Sequence, residues 1–364
     1  MDAEWTQTQA ASVEVSVSSR HVETHRPVSL LAILLTLGCV LAAAIVISLA
    51  VGAVHVPVTT ILASILGRQA LSPMDHVILF EIRLPRVLAS AVVGAALSCA
   101  GLLFQGLFRN PLADPYVIGS SGGAVVGACV GILFFSQMAF LGFSATALLA
   151  FSGSVVTMIV VYALARSTSG TNVVALLLAG FAVSTMLGSS TYLFELLDPN
   201  PAVGSRVLSS WLHGVIGTPA WQELGISTAL FTFAALAAFP LMRRLNTLAL
   251  GDEYAQQLGV RVERTRIWLI LAGSLLTAVA VSLGGLIGFA GLIVPHGARM
   301  LLGPDHVRLL PVTALSGAIF LVFADTLART VLAPKEIPVG VLMVFVGGPF
   351  FLYLLRNSKR EYGL

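Results

Sequence analysis

The chain has 364 residues, 57% of them hydrophobic and 10% charged, with a mean hydropathy of +0.94 and a formal net charge of +3. Soluble domains carry about 25% charged residues, so an ordinary water-solvated globule is excluded. The composition is that of a lipid-solvated chain, and no nucleic-acid partner is expected of it.

A charged side chain at mid-membrane costs about 2.5–3.5 kcal/mol, so the places where charge is missing mark the spans. Asp, Glu, Lys and Arg are absent from residues 27–67, 87–108, 115–165, 167–194, 224–242, 267–298, 309–324 and 337–355. Cut at their Gly, Pro and polar breaks, these runs predict ten helices, over 29–51, 87–107, 116–135, 140–164, 173–196, 223–242, 267–285, 286–302, 308–330 and 337–355. The runs are continuously apolar rather than alternating, which favours helices over a transmembrane barrel. The predicted fold class is therefore all-α, a polytopic transmembrane bundle occupying residues 29–364.

Ahead of the first span, residues 1–28 are polar and end on Arg20, His21, His25 and Arg26. The apolar run that follows exceeds the h-region of a signal peptide, so these residues are expected to form a cytoplasmic tail. Cys39, Cys99 and Cys129 sit inside apolar runs without close Cys or His neighbours in sequence; they read as packing residues, and no metal site or cofactor is expected. Gly119-Ser120-Ser121-Gly122-Gly123 reads as a broken, small-residue helix start.

Between the fifth and sixth spans, residues 197–223 carry Asp198-Pro199-Asn200-Pro201, Trp211 and Trp221. This stretch is too broken to cross, and its tryptophans suit an interfacial helix. Between the sixth and seventh spans, Arg243-Arg244-Leu245 leads through Gly251-Asp252-Glu253-Tyr254-Ala255-Gln256-Gln257-Leu258-Gly259 to Arg266. Asp252 and Glu253 suit a helix N-terminus, Gly259 a stop, and Tyr254, Ala255 and Leu258 can share one face. A short amphipathic helix outside the bilayer is expected there.

With ten spans and a cytoplasmic N-terminus, the outer face holds only Arg68, Arg83, Arg86, Arg206, Arg329 and Lys335 among the Lys and Arg residues. The positive-inside bias thus favours both termini in the cytoplasm. Arg83, Arg86 and Arg329 cluster on the disfavoured face, and arginine's planar fork suits an acidic partner there. A faint echo, Gly101-Leu102-Leu103 before Pro111 and Gly285-Leu286-Ile287 before Pro295, suits an inverted repeat of spans two to five with seven to ten; chance similarity in Gly/Leu-rich sequence is the alternative.

No HExxH pattern or GxxxxGK[ST] phosphate loop occurs, and Gly119–Gly123, which fits GxSxG by letter, reads as a small-residue helix start rather than a nucleophile elbow, so neither a catalytic centre nor a P-loop ATPase is expected in this chain. Asp325 is the nearest candidate for an ion-coupling group of a gradient-driven carrier, although an i,i+4 pair with Arg329 suits it better. His296, beside Pro295 and close to Arg299, reads as a hydrogen-bonded structural residue rather than a ligand.

Taken in order, Ile82-Arg83-Leu84-Pro85-Arg86, Phe108-Arg109-Asn110-Pro111-Leu112-Ala113-Asp114-Pro115, Leu176-Leu177-Leu178-Ala179-Gly180, Gly285 through His296, Gly303-Pro304-Asp305-His306, Ala324-Asp325, Glu336-Ile337-Pro338-Val339-Gly340 and Gly347-Gly348-Pro349 carry a resemblance. The sequence resembles the FecCD-type permeases, membrane subunits of ABC importers for ferric siderophores, haem and cobalamin. That resemblance implies a second permease copy, two ABC ATPase subunits, a periplasmic substrate-binding protein and a bacterial inner-membrane location. It implies docking of the binding protein at Arg83, Arg86 and Arg329, and ATPase coupling through Gly251, Asp252, Glu253, Ala255, Leu258 and Gly259. It also implies an inner gate before the fifth span. The matching residues are Asn172, Val173 and Val174, with Ser167-Thr168-Ser169 upstream.

Overall fold

A computed structural model describes residues 29–52, 56–65, 72–140, 143–167, 170–171, 173–198 and 201–361. The expected tail over 1–28 and the gate candidate Asn172 lie outside them. The helices, in order, are α1 (Leu30–Ala50), α2 (Val58–Ile65), α3 (Pro73–His76), α4 (Leu84–Phe108), α5 (Ser120–Phe134), α6 (Ala145–Ala165), α7 (Val173–Leu196), α8 (Pro201–Leu212), α9 (Trp221–Ala238), α10 (Leu241–Leu248), α11 (Asp252–Gln257), α12 (Val262–Gly284), α13 (Ala290–Leu302), α14 (His306–Thr330) and α15 (Val339–Glu361). Two short β pairings, Ala139–Phe140 with Phe143–Ser144 and Arg166–Ser167 with Gly170–Thr171, close the turns on either side of α6.

Each of the ten predicted runs falls on a helix, but their lengths differ. Among the described residues, six helices are long and apolar enough to cross a membrane, and α9 with α10 would make a seventh if the pair, bent by 54°, is one span. The bend comes at Pro240, which has no amide to donate to the preceding turn, so the sixth predicted span ends at Ala238 and residues 241–242 begin a separate helix. The predicted 286–302 helix starts only at Ala290, because Gly285 and Phe289 both take positive φ, 66° in each case. The predicted 116–135 helix likewise begins at Ser120, after a 3-10 turn that ends on Gly119 at φ 86°. These breaks leave α5 and α13 shorter than a full crossing.

At the centre stands α4. It continues from α3 through a π-helical stretch, Val77–Arg83, giving an unbroken helical rod over Pro73–Phe108. Almost every α4 side chain is buried, and the helix packs on α14, α12, α13 and α9. By contrast α1 and α7 are largely exposed.

In lipid, apolar burial does little to hold helices together, and close van der Waals approach takes over. Gly94 lies against the backbone of Gly317 on α14, and Gly101 against that of Gly291 on α13. Gly123 and Gly153 do the same for α5 and α6. A methyl group on any of these would overlap the facing backbone.

Backbone groups freed at the helix breaks find specific partners, as they must away from water. Pro295 leaves the carbonyl of Gly291 without its helical donor, and Gln105 of α4 donates to it through Nε2 at 3.3 Å. In the non-helical segment before α13, the amide of Ile287 donates to the Tyr116 hydroxyl at 3.2 Å and that of Leu286 to the Trp211 carbonyl at 3.4 Å. The C-terminal turn of α8 thus braces the break between α12 and α13.

Of the cysteines, Cys99 and Cys129 are buried as packing residues, whereas Cys39 is exposed on α1. His296 differs from expectation too. It meets Phe350 edge-on at 6.0 Å, and its buried Nδ1 has no hydrogen-bond partner among the described residues.

Replacing Gly101 with Leu should force α4 away from α13. Overpacking of this kind costs about 1–3 kcal/mol, so the thermal midpoint of the purified protein in detergent should fall. Gly38→Leu on α1, where nothing lies within 4 Å of the added carbon, should leave it unchanged.

Candidate functional site

Arg83, Arg86 and Arg329 do come together at one end of the bundle, but they are not free charges. Arg83 closes the π-helical stretch, Arg86 sits in the first turn of α4, and Arg329 lies in the last turn of α14. Between the latter two stands Asp325, fully buried, whose Oδ1 accepts from Arg86 Nη2 at 3.1 Å and whose Oδ2 accepts from Arg329 Nε at 3.0 Å. The expected i,i+4 pair is thus present, with a second arginine added to it. Asp325 is committed to these two guanidinium groups, which argues against a role as an ion-coupling carboxylate.

The remaining guanidinium donors tie the cluster to its surroundings. Arg329 donates to Ser48 Oγ at 2.8 Å and Arg83 to the Leu49 carbonyl at 2.6 Å, both on α1. Arg86 Nη1 meets Glu336 Oε2 at 2.8 Å. The two carboxylates are unlike: Asp325 is 0% exposed, Glu336 48% and Arg86 14%. A cavity of about 250 Å³ opens onto Ile82, Arg83, Arg86, Arg329 and Glu336. The arrangement holds arginine forks in place with one buried acid, while a second, exposed acid occupies the outermost fork.

The other end of α4 carries the second cluster. Arg109 terminates the helix in the left-handed conformation, φ 51° and ψ 34°. Its Nε donates to the Leu248 carbonyl at 2.9 Å, and its Nη2 pairs with Asp252 at the start of α11. Arg266 of α12 takes the other oxygen of the same carboxylate. A neighbouring network fastens α10: Asn246 donates to Asp305 at 2.7 Å and accepts from the His306 amide at 3.0 Å, at the N-terminus of α14.

The predicted amphipathic helix over 251–259 is present as α11, flanked by Gly251 at φ 119° and Gly259 at φ 80°. Its faces need one correction. Ala255 is turned fully into the core and offers nothing to a partner, while Glu253, Tyr254, Leu258 and Gly259 are exposed. Asp252 is committed to Arg109 and Arg266, so it positions the helix. The charged stretch before it forms a helix of its own, α10, which buries Leu241, Met242, Leu245 and Leu248 and exposes Arg243 and Arg244. Val173 and Val174 open α7, half-buried and exposed respectively.

Sequence reasoning did not find Glu336 as a partner of Arg86, nor Arg109, Arg266 and Asn246 as fasteners of the α10–α11 segment. Arg109 and Glu336 lie inside motifs that carry the resemblance, but their partners stand 143 and 250 residues away in sequence.

Burial separates the two clusters energetically. Removing one member of a buried ion network costs about 3–5 kcal/mol, so Asp325→Ala should markedly lower the unfolding midpoint in detergent. Asp252 is 36% exposed, and exposed pairs contribute about 0–1 kcal/mol; Asp252→Ala should barely move that midpoint.

A model of the FecCD transport family matches residues 40–357. Among curated proteins, the chain is 41% identical over 284 residues to the cobalamin import system permease protein of Halobacterium salinarum, covering 78% of this chain and 74% of that one. It is 40% identical over 284 residues to the hemin transport system permease protein of Yersinia pestis, covering 77% and 84%. Among solved structures, a metal-chelate type ABC transporter in an inward-facing conformation superposes with a TM-score of 0.75 at 31% identity, covering 90% of this chain and 99% of that one. The all-α bundle, its ordered motifs and these likenesses agree: the chain belongs to the FecCD transport family, as a multi-pass membrane permease rather than an enzyme.

Proposed function

We propose that this permease forms the membrane path of an ABC importer for a metal chelate of the siderophore or haem type, or for cobalamin. A substrate-binding protein delivers the cargo at the arginine end, and two ATPase subunits act at the α11 end. A second permease copy completes the path. The observation that carries this reading is that one helix joins both clusters: Arg86 stands in the first turn of α4 and Arg109 at its C-terminus. At 1.5 Å per residue, α4 separates them by about 35 Å, the span of a bilayer.

In this reading the arginine end faces the periplasm, and α11 and both termini face the cytoplasm of a bacterial inner membrane, as the positive-inside bias favours. A carboxylate on the binding protein would take Arg86 from Glu336, leaving Asp325 to hold the forks. On the inner side, Glu253, Tyr254, Leu258 and Gly259 would enter a cleft on the ATPase. The Asp252 bridge would then pass rigid-body tilting to α4 and α12. The largely exposed α7, with Thr185 and Ser189 on its exposed face, is suited to line the path against the second copy, and Val173 and Val174 at its start would lie near the inner gate. The path should hold no tight intramembrane site, because a deep well would slow release.

Arg83→Glu together with Arg86→Glu should weaken docking of the binding protein to the reconstituted importer at least tenfold. Glu336→Gln should strengthen it, because the competing carboxylate is gone. Unchanged docking in both variants would contradict the outer assignment. On the inner side, a chain lacking residues 253–257 should leave ATP turnover while abolishing uptake into proteoliposomes; full uptake by that variant would remove the coupling role of α11.

A further inference from the structure

Where α9 bends into α10, a groove runs between the bent pair and α12. It measures about 340 Å³, within the range of ligand pockets. Its walls are almost wholly apolar, with Phe233 and Ala237 on one side and Trp268, Leu271 and Leu275 on the other. At one end stands Arg244, on the exposed face of α10. Arg264 is exposed one helical turn before Trp268, which places both on the same face of α12. Among the described residues neither arginine has an ion pair or a side-chain hydrogen bond. Glu263, adjacent in sequence, is engaged by the Tyr162 hydroxyl at 3.3 Å.

Four features coincide here. The groove is apolar along its length and cationic at one end. Trp268, 58% exposed, lies between the two zones, where tryptophan favours the membrane–water boundary. The 54° bend turns α10 off the axis of α9, and α10 buries an apolar face while showing arginines outward, the pattern of an interfacial helix. Basic pockets between helices at a membrane surface select anionic headgroups.

We propose that this groove is a binding site for an anionic phospholipid, with one acyl chain between α9 and α12 and the phosphate between Arg244 and Arg264. The site is separate from both charged clusters of α4, and it requires only that the chain spans a membrane. Its occupant would brace the α9–α10 bend, and with it the segment that leads into α11.

The test uses the full chain in phosphatidylcholine vesicles doped, at equal mole fraction, with brominated phosphatidylglycerol or brominated phosphatidylcholine. Subtracting the signal of Trp268→Phe isolates the fluorescence of Trp268. Brominated phosphatidylglycerol should quench that component at least threefold more effectively, and Arg244→Gln with Arg264→Gln should bring the ratio to about one. Equal quenching of the unaltered chain by both lipids would mean annular lipid only and would overturn the proposal. So would a Trp268 quenched by neither, as when a second copy covers the groove, or a preference that survives the double substitution.

Discussion

Gly94 and Gly101 allow α4 to lie directly against the backbones of α14 and α13. Lipid offers no hydrophobic gain for helix association, so contact distance decides which helices stay together. With those two glycines facing Gly317 and Gly291, the central rod is fixed to the helix that carries Asp325 and Arg329 and to the helix that begins after the break at residues 285–289. The cluster of Arg86, Asp325 and Arg329 inherits its geometry from the contact with α14. If α4 shifted away from α14, Arg86 would leave Asp325, and a buried carboxylate would lose half its compensation.

Some of the polar groups inside the bundle serve the breaks in its helices. Gln105 serves the carbonyl exposed by Pro295, and Tyr116 serves Ile287. These side chains allow short and broken helices to exist at membrane depth. The clusters at the two ends of α4 follow another logic. The one around Asp325 is buried and closed apart from Glu336. The one around Asp252 is more exposed, and it contributes position more than stability.

Much of this was legible in the sequence. Charge-free runs located a helix for every predicted span, since the cost of a buried charge is local and needs no knowledge of the fold. The grouping of Arg83, Arg86 and Arg329 was visible because the positive-inside bias assigns all three to the disfavoured face, and α11 from its flanking glycines and leading acids. Ala255 was misplaced because a six-residue helix gives too little periodicity to separate an inner face from an outer one. The length of α13 was overestimated because hydropathy does not register that Gly285 and Phe289 take positive φ. Glu336, Arg109 and Arg266 were missed because ion pairs across the fold leave no trace in local spacing. The close contacts of Gly94 and Gly101 with other helices are equally invisible until the helices are placed.

The central claim is that this permease carries a signal between a docking surface at one end of α4 and an ATPase surface at the other. It is tested most directly by the ATP turnover of the permease assembled with its ATPase subunits in nanodiscs, measured with and without the loaded binding protein. The account predicts that the binding protein raises turnover severalfold, although it touches only the face opposite the ATPases. Turnover unaffected by a binding protein shown to be docked would contradict it.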